Sequence, residues 1–196
     1  MTGVTQNGQA ERREPRRTRV DLLQRLPPGP GAELGVFRGD FSATVLEIVR
    51  PSKLYLVDLF AGLQCSGDAN GANYESVDMA DMESAVRQRF SGHPEVEVVK
   101  GVSWDWLRRQ GPGSLAWAYI DTDHSYMTTV LELRAARQAV AEGGIIAGHD
   151  YHAELFPGVV RAVQEFAAAL GLSVEVYDGD GFPSYAMVNR GGGARA

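Results

Sequence analysis

The chain has 196 residues, of which 44% are hydrophobic and 22% are charged, and its formal net charge is −6. This length predicts one domain with its own core. The single cysteine, Cys65, excludes a disulfide scaffold or a cysteine-only zinc site and fits a reducing, cytoplasmic compartment. No apolar run approaches the roughly 20 residues of a membrane helix, and the first 20 residues lack the apolar segment of a signal peptide.

The charge is divided between a basic start and an acidic body. Five arginines and two glutamates precede Val20 and give +3, so the rest of the chain carries −9. Because nucleic-acid affinity comes largely from lysine and arginine at phosphates, this body argues against a nucleic-acid partner and suits a cationic ligand. We predict a disordered basic tail over 1–18, one domain over 19–190 and a flexible glycine-rich tail over 191–196.

Within the domain, short apolar runs alternate with amphipathic stretches of helical period. The amphipathic stretches predict helices at 20–26, 42–49, 81–90, 103–109, 126–140 and 159–170, the fifth of them stopped by Gly143 and Gly144. The apolar runs predict strands at 32–36, 54–57, 96–99, 115–120, 145–147, 174–177 and 185–188. This alternation predicts a Rossmann-like, doubly wound α/β fold with a mostly parallel sheet, to which a final hairpin adds an antiparallel strand. The polar stretch 61–78 is too long for a simple connection, and its residues 63–78 predict a lid.

In such sheets, ligands bind beyond the carboxyl ends of the strands. The sequence ELGVFRGD, which starts at Glu33 and contains Gly35 and Gly39, resembles a dinucleotide loop without its second glycine. Asp40 would repel a phosphate at the start of the helix, so Glu33 and Asp40 favour a positively charged ligand. Asp58 ends the second strand at about the spacing from the loop at which a carboxylate binds a ribose diol.

The third strand is followed by Gly101, Val102 and Ser103. Gly101 leaves room for a flat base. Ser103 can either contact an adenine or cap a short helix, and both alternatives stay open.

Segments rich in polar side chains follow the fourth and fifth strands, which we expect to be neighbours in the sheet. Three of the four histidines of the chain lie there. Converging carboxylates and imidazoles predict either a metal site or an acid–base cluster. The residues are Asp121, Asp123, His124, His149, Asp150 and His152.

The order of ExGxxxG, a strand-end aspartate, IDTDHSY and GGIIAGHDY resembles the class I S-adenosylmethionine-dependent methyltransferases. More narrowly, it is similar to the small single-domain branch that includes sugar and natural-product O-methyltransferases, over roughly residues 20–189. The resemblance implies a seven-stranded sheet with an antiparallel last strand, and methyl transfer from S-adenosylmethionine to a small molecule, with a hydroxyl as the expected acceptor. It also implies cofactor contacts from Glu33, Gly35, Gly39, Asp58, Val102, Ser103 and Asp121.

Methyl transfer requires that the nucleophile be aligned and lose its proton. Two mechanisms stay open, and their candidate catalytic residues are Asp121, His124, His149 and Asp150. In the first, Asp121, Asp150 and His149 hold a divalent cation such as Mg²⁺, with His124 or His152 as the alternative third ligand. In the second, His149 or His124 is a metal-free general base.

An NAD-dependent oxidoreductase and a metal-dependent hydrolase are the alternative functions for this scaffold. The missing second glycine and Asp40 count against the oxidoreductase, and a hydrolase would leave Gly35 and Asp58 unexplained. We expect a small-molecule substrate and no membrane partner. Since little chain remains outside the domain, substrate choice rests on short loops, on the N-terminal arm or on a neighbouring subunit of a homo-oligomer.

Overall fold

A computed structural model describes residues 16–61, 79–179 and 181–190. Its elements are α1 (Arg19–Arg25), β1 (Gly31–Leu34), α2 (Asp40–Val49), β2 (Leu54–Asp58), α3 (Met79–Arg89), β3 (Val96–Lys100), α4 (Ser103–Arg108), β4 (Leu115–Ile120), α5 (Tyr126–Ala139), β5 (Val140–Gly148), α6 (Pro157–Leu170), β6 (Glu175–Tyr177) and β7 (Ser184–Val188). The predicted lid lies outside the described residues, and so do the predicted tails apart from residues 16–18. Within the described part of the chain, no helix is long and apolar enough to cross a membrane.

The seven strands form one sheet in the order β3-β2-β1-β4-β5-β7-β6. Neighbouring strands are parallel except for β7, which is antiparallel to both β5 and β6. The predicted Rossmann-like fold with an antiparallel last strand is therefore confirmed. The direction of strand addition reverses between β1 and β4, and in such sheets the ligand crevice lies at the carboxyl ends of these two strands.

Helices cover both faces of the sheet, because the strands carry apolar side chains on both sides. On one face, α4, α5 and α6 pack through residues that include Leu107, Leu133 and Val163. On the other, α1, α2 and α3 pack through residues that include Leu22, Val45 and Val86. The two cores hold the strand ends rigidly, and the loops that leave those ends are consequently well placed to carry a site.

Helix α5 ends earlier than its sequence period predicts. It stops at Ala139, one residue before the predicted end, because Val140 takes an extended conformation (φ −82°, ψ 134°). Val140 then pairs with Leu115, and β5 runs from Val140 through a register shift to Gly148. The helix predicted over 126–140 is therefore confirmed to within one residue, whereas the strand predicted over 145–147 was too short, because pairing with β4 extends it back to Val140.

The N-terminal segment contacts the edge strand β6. Thr18 and Asp21 form a capping box that starts α1, with Thr18 N donating to Asp21 Oδ2 at 2.6 Å. Arg17 and Arg25 each donate to Glu175 at 2.7 Å. The described end of the predicted basic tail is thus bound to an acidic residue of the same chain.

Candidate active site

The carboxyl ends of β1, β4 and β5 bring several predicted site residues to one crevice. Asp121 N donates to Leu34 O at 2.8 Å, and His149 N donates to Ile120 O at 3.0 Å. Gly35, at φ 88°, lies against the same loops, since a Cβ there would be 1.8 Å from the Asp121 carbonyl oxygen. Only glycine permits this approach of the two backbones.

Four side chains meet in the crevice, and we call them the acid–histidine cluster: Asp121, His124, His149 and Asp150. His124 Nε2 lies 2.7 Å from Asp150 Oδ2 and 3.5 Å from Asp121 Oδ1. His149 Nδ1 lies 3.2 Å from Asp150 Oδ1 and 3.8 Å from Asp121 Oδ2. One ligand atom each from Asp121, His124 and Asp150 lie within 4.8 Å of one another. The convergence of the two loops is confirmed, and the tightest triad contains His124, the alternative third ligand, in place of His149.

Ring nitrogens in the cluster lack hydrogen-bond partners among the described residues. They are Nδ1 and Nε2 of His124 and Nε2 of His149. The 2.7 Å contact between His124 and Asp150 is close, but it is not aligned as a hydrogen bond. A buried polar atom without a partner costs about 1–3 kcal/mol. The cluster therefore has the donor atoms and the unsatisfied positions expected where a cation or a ligand hydroxyl binds.

The two carboxylates set the electrostatics of the cluster. Burial opposes the charged form of His124, but the close carboxylates of Asp121 and Asp150 outweigh it and raise the pKa of His124 to about 10. Burial likewise opposes the ionised form of Asp150, and His124 and His149 outweigh it and hold the pKa of Asp150 well below its usual range. With no cation bound, His124 is thus protonated near neutral pH, and cation binding would release that proton.

Backbone strain accompanies this geometry. His124 has φ 59° and Asp150 has φ 56°, both in the left-handed region. That region costs roughly 1–2 kcal/mol for a residue with a side chain. Such strain persists where the surrounding structure enforces it, which is common at functional sites.

Two other acidic or imidazole residues predicted for the cluster point elsewhere. Asp123 accepts hydrogen bonds from Ser125 N at 3.0 Å and Thr128 Oγ1 at 2.8 Å, so it stabilises the first turn of α5. The His152 ring packs edge-on against Phe182, with centroids 6.2 Å apart. Neither residue contributes to the triad of converging ligand atoms.

Asp58 connects the loops that follow β1 and β2. Its Oδ2 accepts from Val36 N at 2.7 Å and Phe37 N at 3.0 Å, and its Oδ1 accepts from Phe60 N at 2.7 Å. Hydrogen bonds to a carboxylate are stronger than neutral ones, so Asp58 fixes the glycine loop. A carboxylate has about four lone-pair positions, which leaves room for one more donor. The ribose contact of Asp58 stays a prediction.

Glu33 and Gly39 are explained in part by the fold. Glu33 is 1% exposed and its Oε2 has no partner among the described residues. Burial raises the pKa of Glu33 to about 8, and neighbouring Ser42 offsets this only partly without making a well-formed hydrogen bond. Gly39, at φ 76°, packs against α3, since a Cβ there would lie 2.7 Å from the Phe90 ring.

Ser103 does not cap α4, so that alternative was wrong. Val102 is the N-cap residue, and no side chain caps the helix. The Ser103 hydroxyl instead donates to Glu132 Oε1, and Thr122 Oγ1 donates to Glu132 Oε2 at 3.0 Å. Glu132 is fully buried, and burial raises its pKa to about 7 against the opposing effect of the two hydroxyls. It joins the loops after β3 and β4.

The sequence interpretation missed Glu132. Its only local signal is an acidic residue between Leu131 and Leu133 on a helix. A charged residue on an apolar helix face is a candidate for a buried polar contact. The pattern does not show which hydroxyls meet it.

Exposed apolar side chains follow the first three strands, and the last of these segments, at Val102, is the one that the resemblance assigns to adenine. Phe37, Leu59 and Val102 follow β1, β2 and β3 and are 38%, 44% and 40% exposed. The space beside Gly101 is open. Ligand sites combine apolar walls with a few placed polar groups. The ammonium group of S-adenosylmethionine would give the Glu33 carboxyl group the partner that it lacks. This edge therefore fits S-adenosylmethionine.

Comparisons with known proteins agree with this geometry. A family model described as a methyltransferase domain matches residues 32–151. No curated protein sequence matches the chain. A proposed rRNA methylase from Clostridium thermocellum has a TM-score of 0.64 at 12% identity, covering 89% of this chain and 95% of that one.

Two further solved structures share the fold. The O-methyltransferase NovP has a TM-score of 0.62 at 21% identity, covering 88% of this chain and 79% of its own. A spermidine synthase from Thermotoga maritima has a TM-score of 0.58 at 15% identity, covering 89% of this chain and 57% of its own. At such identities these similarities establish the fold alone. Because the family model spans more than half of the sequence, the chain belongs to the methyltransferase-domain family and is an S-adenosylmethionine-dependent methyltransferase of class I fold.

Proposed function

We propose that this protein transfers the methyl group of S-adenosylmethionine to a hydroxyl of a small molecule, with a divalent cation held by Asp121, His124 and Asp150. The observation that carries the proposal is the convergence of their ligand atoms within 4.8 Å. Two carboxylates suit Mg²⁺, and an imidazole shifts the preference towards softer divalent ions. A bound divalent cation lowers the pKa of a coordinated hydroxyl.

The residues of the chain position the two reactants. Methyl transfer needs the acceptor oxygen in line with the methyl carbon and the departing sulfur. Gly35 lets the glycine loop lie against Asp121, and Asp58 holds that loop through two backbone N–H groups, those of Val36 and Phe37. Asp121 consequently lies between the glycine loop and the other residues of the acid–histidine cluster. We expect the reacting methyl group at this position.

The charge distribution supports a small acceptor over RNA. The chain after Arg19 carries a formal −9, and RNA binding depends on lysine and arginine that neutralise phosphates. Exposed apolar side chains at the site edge, such as Phe37 and Phe182, suit an organic ligand better than a polyanion. The description of the structure from Clostridium thermocellum as an rRNA methylase is a statement about that protein.

Metal removal and one substitution test the proposal. We expect a strong chelator to abolish methyl transfer and added Mg²⁺ or Mn²⁺ to restore it. Asp150→Asn should lose about 100-fold or more in turnover, since loss of a residue that only supports a metal ligand already costs 10–100-fold. Calorimetry should show unchanged binding of S-adenosylhomocysteine. Asp123→Asn is the matched control, because Asp123 lies in the same loop system outside the triad.

The outcomes separate the parts of the proposal. Full activity in the presence of a chelator would exclude the cation. The second mechanism, in which a histidine is the metal-free general base, would then be favoured. Failure to bind S-adenosylmethionine or S-adenosylhomocysteine would contradict the methyltransferase assignment itself.

A further inference from the structure

A row of aromatic rings adjoins the acid–histidine cluster. The Phe156 ring packs on His124 with centroids 4.7 Å apart. Phe182 meets Phe156 edge-on at 5.8 Å, and His152 meets Phe182 edge-on at 6.2 Å. We call Phe156, Phe182 and His152 the aromatic wall. Because His124 also contacts Asp150, the wall begins at the cluster.

Backbone hydrogen bonds hold the wall in place. Tyr151 N donates to Pro183 O at 2.9 Å and ties the loop after β5 to the loop between β6 and β7. His152 N donates to Asp150 O, and Phe156 N donates to His152 O, each at 2.8 Å. His152 and Phe156 therefore lie in the loop that carries Asp150 or directly after it, and the Tyr151–Pro183 bond holds the loop of Phe182 beside them.

The wall has both an open apolar surface and an unsatisfied polar atom. Phe182 remains 40% exposed although it contacts two rings. Nδ1 of His152 is buried without a partner among the described residues. An apolar surface with a few convergent polar atoms is the usual composition of a small-molecule site, and buried polar atoms without partners are costly. Both features are explained if a ligand ring lies against the wall.

We propose that the aromatic wall is the acceptor subsite, and that the acceptor carries a planar aromatic ring next to the hydroxyl that is methylated. This inference rests on the proposed function. A ring against Phe156 and Phe182 would take offset or edge-on packing, with centroids 4.5–7 Å apart. A polar substituent of that ring would meet Nδ1 of His152. The acceptor hydroxyl would then reach the acid–histidine cluster.

The group transfer balances with components already named. The acceptor oxygen forms a new bond to the methyl carbon as the carbon–sulfur bond of S-adenosylmethionine breaks. S-adenosylhomocysteine leaves as the neutral thioether, and the hydroxyl proton is released to solvent. No oxidant or further co-reactant is needed.

Two diols that differ only in their rings test the wall. 3-Phenyl-1,2-propanediol and 3-cyclohexyl-1,2-propanediol are titrated by calorimetry into the full chain with S-adenosylhomocysteine and Mg²⁺. Their hydroxyl groups are alike, and the cyclohexyl ring is the more hydrophobic of the two. An aromatic contact is worth about 0.5–1.5 kcal/mol beyond burial, so we expect the phenyl compound to bind about 3- to 10-fold more tightly.

Variants assign that preference to the wall. Phe182→Leu keeps an apolar side chain without a ring and should abolish the preference, and Phe182→Tyr should retain it. Val176→Ala is the control, because Val176 is an apolar residue on β6 with a similar exposure of 37% and is not part of the wall.

The inference would be overturned by equal affinities for the two compounds, by tighter binding of the cyclohexyl compound or by no binding of either. It would also be overturned if the preference for the phenyl compound survived in Phe182→Leu. Methyl transfer is measured in parallel on both compounds. Preferential binding of the phenyl compound without its methylation would count against the proposed O-methylation and leave the subsite standing.

Discussion

Replacement of Glu132 by glutamine isolates the effect of one buried carboxyl group. Glu132 is fully buried between Ser103 and Thr122, and burial raises its pKa from 4.5 to about 7. An acid with a raised pKa binds its proton more tightly in the folded state than in the unfolded state. Its contribution therefore favours folding below pH 4.5 and is lost as the pH rises from 4.5 to about 7.

The shift from 4.5 to about 7 corresponds to a loss of about 3 kcal/mol across that pH range. Glutamine has no charge to bury and still offers a carbonyl oxygen to one hydroxyl. The free energy of unfolding of Glu132→Gln, minus that of the wild type, should therefore increase by most of this amount between pH 5 and pH 8. His124 and Glu33 titrate in both proteins, so their contributions cancel in the difference.

Urea unfolding followed by tryptophan fluorescence measures both proteins at pH 5, 6.5 and 8. Glu154→Gln, at an exposed position, is the control and should stay within about 0.5 kcal/mol of the wild type throughout. If the free energies of unfolding of Glu132→Gln and the wild type differ by the same amount at every pH, the pKa of Glu132 is not raised. That result would refute the burial of its carboxyl group as the cause of a raised pKa.

Two further predictions concern the glycine loop. Gly35→Ala should destabilise the protein by more than about 3 kcal/mol in the same urea unfolding assay, because its Cβ would lie 1.8 Å from the Asp121 carbonyl oxygen at φ 88°. Gly171→Ala, at φ 63° with open space around it, should cost only about 1–2 kcal/mol. Equal losses would contradict the close approach of the two loops. Asp58→Asn should cost about 1.5–3 kcal/mol by weakening the hydrogen bonds to Val36, Phe37 and Phe60, and calorimetry should show at least about 10-fold weaker binding of S-adenosylhomocysteine. If the stability falls but the affinity does not, Asp58 serves the loop alone. Asp105→Asn is the control, because Asp105 is a half-exposed residue of α4 that forms only a surface ion pair with Arg109.

The fold class could be predicted because it depends on periodic patterns. Strands buried on both faces read as continuous apolar runs, and the helices between them show a period of 3.6 residues. The meeting of Asp121 with Asp150 could be predicted as well, since neighbouring parallel strands end at the same edge of a sheet. Both inferences need only local pattern and the rules of chain connection.

Contacts between distant residues could not be predicted in the same way. Val140 leaves the helix because Leu115 pairs with it, and the two residues are far apart in the chain. Ser103 could cap a helix by its local sequence, but the helix N-cap is Val102 and the hydroxyl meets Glu132. In each case a tertiary partner competes with a local preference and prevails.

The amino-acid pattern was sufficient for the architecture and for the edge of the sheet that carries the acidic residues, because periodicity and strand order follow from local burial. It was not sufficient to choose His124 over His149 as the third member of the triad, or to separate Asp123 from the cluster. Those choices depend on φ values, ring orientations and distances of a few ångströms. Such quantities arise only when the loops after β1, β4 and β5 are packed against one another.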